Sequence, residues 1–493
     1  MLGFALVAVL CQAPVAAPGV TAARTSGHPS DLLVVLKEGE SPDALLAGYP
    51  TLTVRRRYVN LPLLAVRADP NVLGALLADT RVKAVQLDHK GRPHTAESAV
   101  AIRSLPARQQ LGIDGTGVVV GVLDTGIDST HPDLQGALAA QKCFVFSGCP
   151  GSDGGVGDLA PEGSGHGTHI AGVITSDGHV APPGIAPGAN LVMVRVFDDT
   201  SYGIESDWAA ALDWLLSQKS TLGVRVVNMS LGADMPTTGF CDAAEPALAD
   251  AIGRLRTAGI LSFVSSGNDG LSGQIDAPAC IEKAVAVGAT YDAELGRQPP
   301  SGTYTSGCFD AASDAGTVIC FSDSSDALDL LAPGAEITSC AAGGGSTVKR
   351  GTSAAAAHAS AAAAMLIQAD PLLSADEIEN ILKSTGKPIT DPRNMRVTPL
   401  IQVDRAVEQV LATFCARHTD GVSCPGCDGG TCRCLQGKCG LPSSSHDGGT
   451  ENPDGGQTHP TPPNKGCGCD AGAGVAALIA AGLLLARRRR LNG

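Results

Sequence analysis

Val118-Val-Val-Gly-Val-Leu-Asp124-Thr-Gly-Ile-Asp128 is a continuous apolar run that ends in an aspartate and a glycine turn. A run without polar alternation reads as a strand buried on both faces. Leu191 to Phe197, Val224 to Met229 and Ile260 to Ser265 repeat the pattern. Helical stretches lie between them: Ser206 to Gln218, with Trp208, Leu212, Leu215 and Leu216 on one face, and Glu245 to Thr257. Ala354 to Gln368 is alanine-rich with almost no polar face, which predicts a buried helix. Strands alternating with helices over residues 105–412 predict a three-layer α/β fold around a mostly parallel sheet. Ligands of such sheets gather at the carboxyl ends of the strands, where Asp124 stands.

Three more segments carry chemistry-bearing residues. Gly165-His166-Gly-Thr-His169-Ile-Ala-Gly172 puts a histidine where a glycine-rich turn enters a helix. Gly351-Thr-Ser353-Ala-Ala-Ala-Ala-His358 puts a serine at the start of the alanine-rich helix, and Ser265-Ser-Gly-Asn268-Asp-Gly270 puts an asparagine just after a strand. A serine hydroxyl is a weak nucleophile and needs a base within hydrogen-bond reach. Histidine titrates near neutrality and suits that role, and a buried carboxylate holds its tautomer. A helix N-terminus at Ser353 offers backbone N–H groups to a developing oxyanion, and Asn268 adds a side-chain donor. Singly, Asp-Thr-Gly marks many strand–turn sites and Gly-Thr-Ser many helix caps. His169 and His358 read as helix residues with structural partners.

The four segments in the order Asp, His, Asn, Ser resemble the subtilisin-like serine peptidases, the subtilases, over residues ~105–412. The resemblance implies a subtilisin-like fold and a serine endopeptidase acting on proteins or peptides. It implies Asp124, His166 and Ser353 as the catalytic triad and Asn268 as the oxyanion donor. Ser230, Leu231 and Gly232, within Asn228-Met-Ser-Leu-Gly232, resemble the family's substrate-binding segment, which pairs with a peptide as an added strand. Leu331-Ala-Pro-Gly334 resembles a structural turn of the family, and the pocket wall falls near Leu271 to Pro278, shorter than in the best-known relatives. Two departures stand out: Ala357 precedes His358 where the family usually has proline, and Ala354 follows Ser353 where it often has methionine. They predict altered serine positioning with activity kept. No cofactor is required for this chemistry. A structural calcium stays open: Asp133 sits where the family often supplies a ligand, but the loop Ser176 to Pro183 lacks a clear calcium motif, so no metal residues are assigned. The alternative to an enzyme is a catalytically weak or inactive subtilase-fold surface module that presents the cysteine-rich segment to a partner.

The rest of the 493 residues read as processing and attachment parts. Met1 to Leu10 is apolar, and small residues follow at Ala16-Ala17 and Ala22-Ala23, a signal-peptide pattern over 1–23 that lacks the usual preceding Lys or Arg. Residues 31–95 read β-α-β-β-α-β, the ferredoxin-like order. They resemble the subtilase propeptide, an intramolecular inhibitor, assigned here to 24–95. The catalytic domain is placed at 96–412, a cysteine-rich segment at 413–440 and a flexible linker at 441–466. Cys467 and Cys469 precede an apolar run from Ala471 to Ala486, followed by Arg487 to Arg490. Sixteen residues make a helix of about 24 Å, short for a bilayer. The 467–493 segment resembles the C-terminal sorting tags of myxobacterial exported proteins, with a short transmembrane segment. Export and sorting machinery are therefore expected partners, with a secreted or cell-surface destination.

Sixteen cysteines fit an oxidising compartment. Cys143–Cys149 and Cys308–Cys320 are candidate local disulfides, Cys241–Cys280 would tie the loop after the substrate segment to the one after the oxyanion strand, and Cys340 is left over. Cys415, Cys424, Cys427, Cys432, Cys434 and Cys439 read as a disulfide knot or a zinc set, and the export signals favour the knot. The net charge of −14 argues against a nucleic-acid partner. Residues 24–95 carry 10 basic and 7 acidic groups, so the middle of the chain is strongly acidic, which suits a basic inhibitor and disfavours acidic substrates.

Overall fold

The computed structural model describes residues 15–16 and 28–440, save 38, 59–61, 88–93, 153–154, 297, 299–307, 421, 426–432 and 436–437. The apolar run Met1 to Leu10, read as part of a signal peptide, and residues 441–493, read as a linker and sorting tag, lie outside the described residues. Among the described residues no helix is long and apolar enough to cross a membrane, and the span read at 471–486 falls beyond them. The chain divides into two compact units, residues 1–92 and 93–493.

The first unit follows the β-α-β-β-α-β order: β1 Ser30–Leu36, α1 Pro42–Gly48, β2 Thr53–Arg57, β3 Leu63–Ala68, α2 Pro70–Leu76 and β4 Val82–Leu87. The four strands pair antiparallel in the order β4-β1-β3-β2, and Val15–Ala16 adds to β4 in parallel. Both helices start at proline, whose fixed φ suits the first turn, and the Ser41 hydroxyl accepts the Ala44 N–H at 3.4 Å. Alternate residues of the central strands, Leu32, Val34, Leu64 and Val66, pack on Leu45, Leu73 and Leu76. The edge strand β2 is exposed throughout and carries Arg55, Arg56 and Arg57, charges that discourage pairing with another chain.

The second unit opens with α3 His94–Ala101 and α4 Ser104–Leu111. Its sheet is built on β5 Val119–Asp124, β6 Leu138–Phe144, β7 Asn190–Arg195, β8 Val224–Met229, β9 Leu261–Ser265, β10 Val285–Thr290 and β11 Leu330–Pro333. These seven pair in parallel in the order β11-β10-β9-β8-β5-β7-β6. Helices α5 His166–Thr175 and α8 Thr352–Ala369 cover one face, and α6 Glu205–Ser217 and α7 Pro246–Thr257 cover the other. A hairpin of β12 Ile337–Ala341 and β13 Gly345–Lys349 leads into α8. After α8 come α9 Ala375–Thr385, the antiparallel pair β14 Lys387–Thr390 and β15 Val397–Leu400, and α10 Val403–Arg417. β15 joins the sheet in parallel at β11.

The two-residue strand period decides which core each side chain enters. Val122, Val226 and Phe263 face α5 and α8, while Leu123, Val227 and Val264 face Trp208, Leu212 and Leu215. The alanines of α8 are buried as its sequence predicts, and their small side chains let that helix lie close against β8 to β11. Three neighbouring strands, β5, β8 and β9, end in the same direction. Asp124, Ser230 and Asn268 therefore come together although up to 144 residues of sequence separate them.

Disulfides join Cys143–Cys149, Cys241–Cys280 and Cys308–Cys320, the pairings expected from the sequence, and Cys340 is a buried thiol that burial pushes up to about 12. In the cysteine-rich segment Cys415 pairs with Cys434, Cys424 is also disulfide-bonded, and both pack under Phe414. A disulfide sulfur has no thiolate to give a metal, which sets Cys415, Cys424 and Cys434 apart from a zinc set, and Cys427 and Cys432 lie outside the described residues.

Candidate active site

Asp124 ends β5 fully buried, and its Oδ1 accepts the Nδ1–H of His166 at 2.7 Å and the Thr125 N–H at 2.7 Å. His166 is the first residue of α5. Burial pulls its imidazole toward the neutral form, but the charge and hydrogen bond of Asp124 outweigh that and hold its pKa above the ordinary 6.5. The junction of strand and helix is tied by two residues that the motif reading passed over. The Thr125 hydroxyl accepts the Gly167 N–H at 2.9 Å and donates to Glu162 Oε1 at 2.7 Å. Glu162 also takes the N–H groups of Gly163 and Ser164 in the turn before α5 and the N–H and hydroxyl of Thr168 in its first turn, so Thr125 and Glu162 together serve open donors at the start of the helix. An acidic residue four positions before a glycine-flanked helix start is the signal that could have found it. Gly167 is required for close approach: a Cβ there would run into the Gly126 carbonyl.

Ser353 is the second residue of α8. A buried chain of hydrogen bonds fixes its backbone. The Ser360 hydroxyl donates to Asn228 Oδ1 at 3.2 Å, Asn228 Nδ2 donates to the Ser230 hydroxyl at 2.9 Å, and Ser230 Oγ donates to the Ser353 carbonyl at 2.8 Å. The Gly351 N–H adds a bond to the Gly334 carbonyl at 2.8 Å. These anchors hold the start of α8, and Ala357 lies further along, as the sixth residue of the helix.

Asn268 Oδ1 accepts both the N–H and the hydroxyl of Thr352, at 2.9 and 3.1 Å. That pairing assigns the oxygen end of the amide to Thr352 and leaves Nδ2 as a donor. His166, Ser353, Asn268, Ser230, Leu231 and Gly232 all line one open cleft of about 590 Å³. The arrangement has a base held by a buried carboxylate, a serine at a helix N-terminus and an oriented amide donor, the parts acyl transfer needs.

The other two histidines of the motifs stand apart. His169 Nε2 pairs with the Ile337 carbonyl at 2.9 Å and His358 Nδ1 with the Ala354 carbonyl at 2.7 Å. Burial lowers them to about 3 and about 4, so both stay neutral structural residues. Asp133's carboxylate accepts the N–H groups of Val180 and Ala181 and the Ser176 hydroxyl, so it is held by the loop that follows α5.

Residues 115–408 match the subtilase family profile. The chain is 30% identical over 360 residues to the alkaline protease of Alkalihalobacillus alcalophilus, covering 72% of this chain and 80% of that protein. It is 34% identical over 282 residues to subtilisin Savinase of Lederbergia lenta, covering 57% of this chain and 87% of that protein. In fold it is similar to a protease of Pseudoalteromonas arctica, with a TM-score of 0.52 and 24% identity over 64% of this chain and 98% of that one.

Proposed function

The chain belongs to the subtilase family and is a subtilisin-type serine endopeptidase, and from that premise we propose that it cuts proteins through Ser353, His166 and Asp124. The observation that carries the assignment is the 2.7 Å bond from His166 to buried Asp124 at the wall of the cleft that Ser353 and Asn268 also line. Ser353 Oγ attacks the peptide carbonyl carbon while His166 Nε2 takes its proton. Asp124 keeps the other ring nitrogen protonated and stabilises the imidazolium. The oxyanion receives the Ser353 N–H and the Asn268 amide. His166 then gives its proton to the leaving amine, and the peptide's acyl half stays on Ser353. Water, deprotonated by His166, releases it. Ser230, Leu231 and Gly232 pair with the substrate backbone at the end of β8.

The test is hydrolysis of casein by purified mature protein, wild type against Ser353→Ala. Loss of hydrolysis in the variant is expected, and equal hydrolysis by both overturns the assignment. Labelling of Ser353 by an organophosphonate separates an enzyme from a surface module.

We read residues 24–95 as an inhibitory propeptide removed by self-cleavage. A separate compact unit with its own apolar core supports this. The disulfides support export, and the 467–493 segment serves surface attachment. N-terminal sequencing decides the zymogen reading. Wild type should start near residue 96 and Ser353→Ala should keep the propeptide, and a propeptide removed equally from both overturns it.

A further inference from the structure

One end of the cleft gathers acidic side chains. Asp276, on the segment between β9 and β10, lines the same cleft as Ser353 and His166. It is 4% exposed, and its Oδ1 has no hydrogen-bond partner. Carboxylate oxygens of Asp234, Asp269 and Asp276 lie within 4.8 Å of one another. They come from three places: Asp234 follows the substrate segment, Asp269 follows the oxyanion residue, and Asp276 lies beyond both. Among the described residues no lysine or arginine forms an ion pair with Asp234 or Asp276. Lys349 lines the cleft without pairing to either.

Asp323 stands behind this group, fully buried. Its Oδ1 accepts the N–H groups of Asp269 at 3.1 Å and Leu271 at 2.7 Å, while its Oδ2 is buried without a partner. Burial first, then the charges of Asp269 and Asp234, pushes Asp276 up to about 6. Burial likewise pushes Asp323 up to about 7.

Two glycines keep the approach to Asp276 open. A Cβ at Gly232 would come within 3.3 Å of Asp276 Oδ2. A Cβ at Gly267, where φ is +111°, would come within 2.9 Å of the same atom and collide with Asp323. Gly232 belongs to the substrate segment and Gly267 precedes the oxyanion residue. The space between them is therefore a slot beside the scissile bond with a carboxylate at its end.

A buried carboxylate without a partner is costly, and three acidic groups close together repel one another. A cation entering the slot removes both penalties at once. The slot opens on the substrate cleft, so the substrate is the source of that cation. Resting on the peptidase reading above, we propose that Asp276 and Asp234 receive the positively charged side chain of the residue that precedes the scissile bond, so that the enzyme cuts after arginine or lysine. The guanidinium of arginine, with its planar fork of donors, suits a set of carboxylates arriving from several directions.

The experiment compares peptides that differ only at the residue before the scissile bond: arginine, lysine, phenylalanine, leucine and glutamate. Wild type should cleave the arginine peptide with kcat/KM about 100-fold above the phenylalanine peptide, the scale set by a buried charge pair. Asp276→Asn should reduce the arginine-to-phenylalanine ratio about 30-fold. Asp234→Asn places asparagine at a left-handed φ of +52° that it tolerates, and should reduce the ratio about fivefold because Asp234 is exposed. Equal or better cleavage after phenylalanine by wild type overturns the proposal and leaves the peptidase reading standing. No cleavage of any peptide overturns the peptidase reading and the proposal with it.

Discussion

The Ser230 hydroxyl donates to the backbone carbonyl of Ser353 at 2.8 Å, so a residue just beyond β8 holds the start of α8. The same hydroxyl accepts the buried Asn228 amide. Ser230→Ala strands that amide, and the expected loss is about 1–3 kcal/mol of stability. Ser230→Thr keeps the hydroxyl and should lose less. Urea denaturation of both variants checks the order, and an Ala variant as stable as wild type would show that the bond contributes nothing.

The pH profile follows from His166. Its pKa lies above 6.5 because Asp124 outweighs burial, with a small opposing contribution from Lys349 and a supporting one from Glu162. The base works only when neutral. Activity is therefore present above the raised pKa and lost as pH falls through it, and the acid limb of kcat/KM should have its midpoint above 6.5. Asp124→Asn removes the charge that raises it, so the limb should move to lower pH, with a rate loss of about 10,000-fold.

Asn268→Ala should lower kcat about 100- to 1,000-fold with little change in KM, because the amide acts on charge that exists only in the transition state. Thr352→Val removes one of the two donors that orient Asn268 but leaves the backbone N–H in place. Its effect on kcat should be about fivefold, the worth of one hydrogen bond. Steady-state kinetics on one peptide substrate measures both.

The Cys241–Cys280 disulfide closes a loop of 39 residues that carries Asn268 and Asp276. Replacing both cysteines by serine should cost about 2–4 kcal/mol of stability. Thermal unfolding of the mature protein without reductant, compared with wild type, checks it.

Much of this was legible in the chain because it is local. Runs such as Val118 to Asp124 announce buried strands, the alanines of 354–368 announce a buried helix, and Asp124, His166, Asn268 and Ser353 each stand in a short motif at a strand end or helix start. Backbone geometry and hydrophobic period act over a few residues, so a few residues suffice to read them. Glu162 and Thr125 escaped notice because their roles depend on which helix start meets which strand end.

The amino-acid sequence by itself determined the alternating elements, the four functional segments and their order, and the β-α-β-β-α-β unit before them. Only the tertiary structure decided the specificity slot. Asp234, Asp276 and Asp323 lie in three loops with no shared motif, and each alone reads as an ordinary surface aspartate. The parallel order of β8, β9 and β10 brings the loops to one end of the sheet, where burial removes the water that would otherwise solvate Asp276 and Asp323. Charge in water is cheap and anonymous; charge gathered in a dry slot must find a partner, and that requirement exists only once the chain has folded.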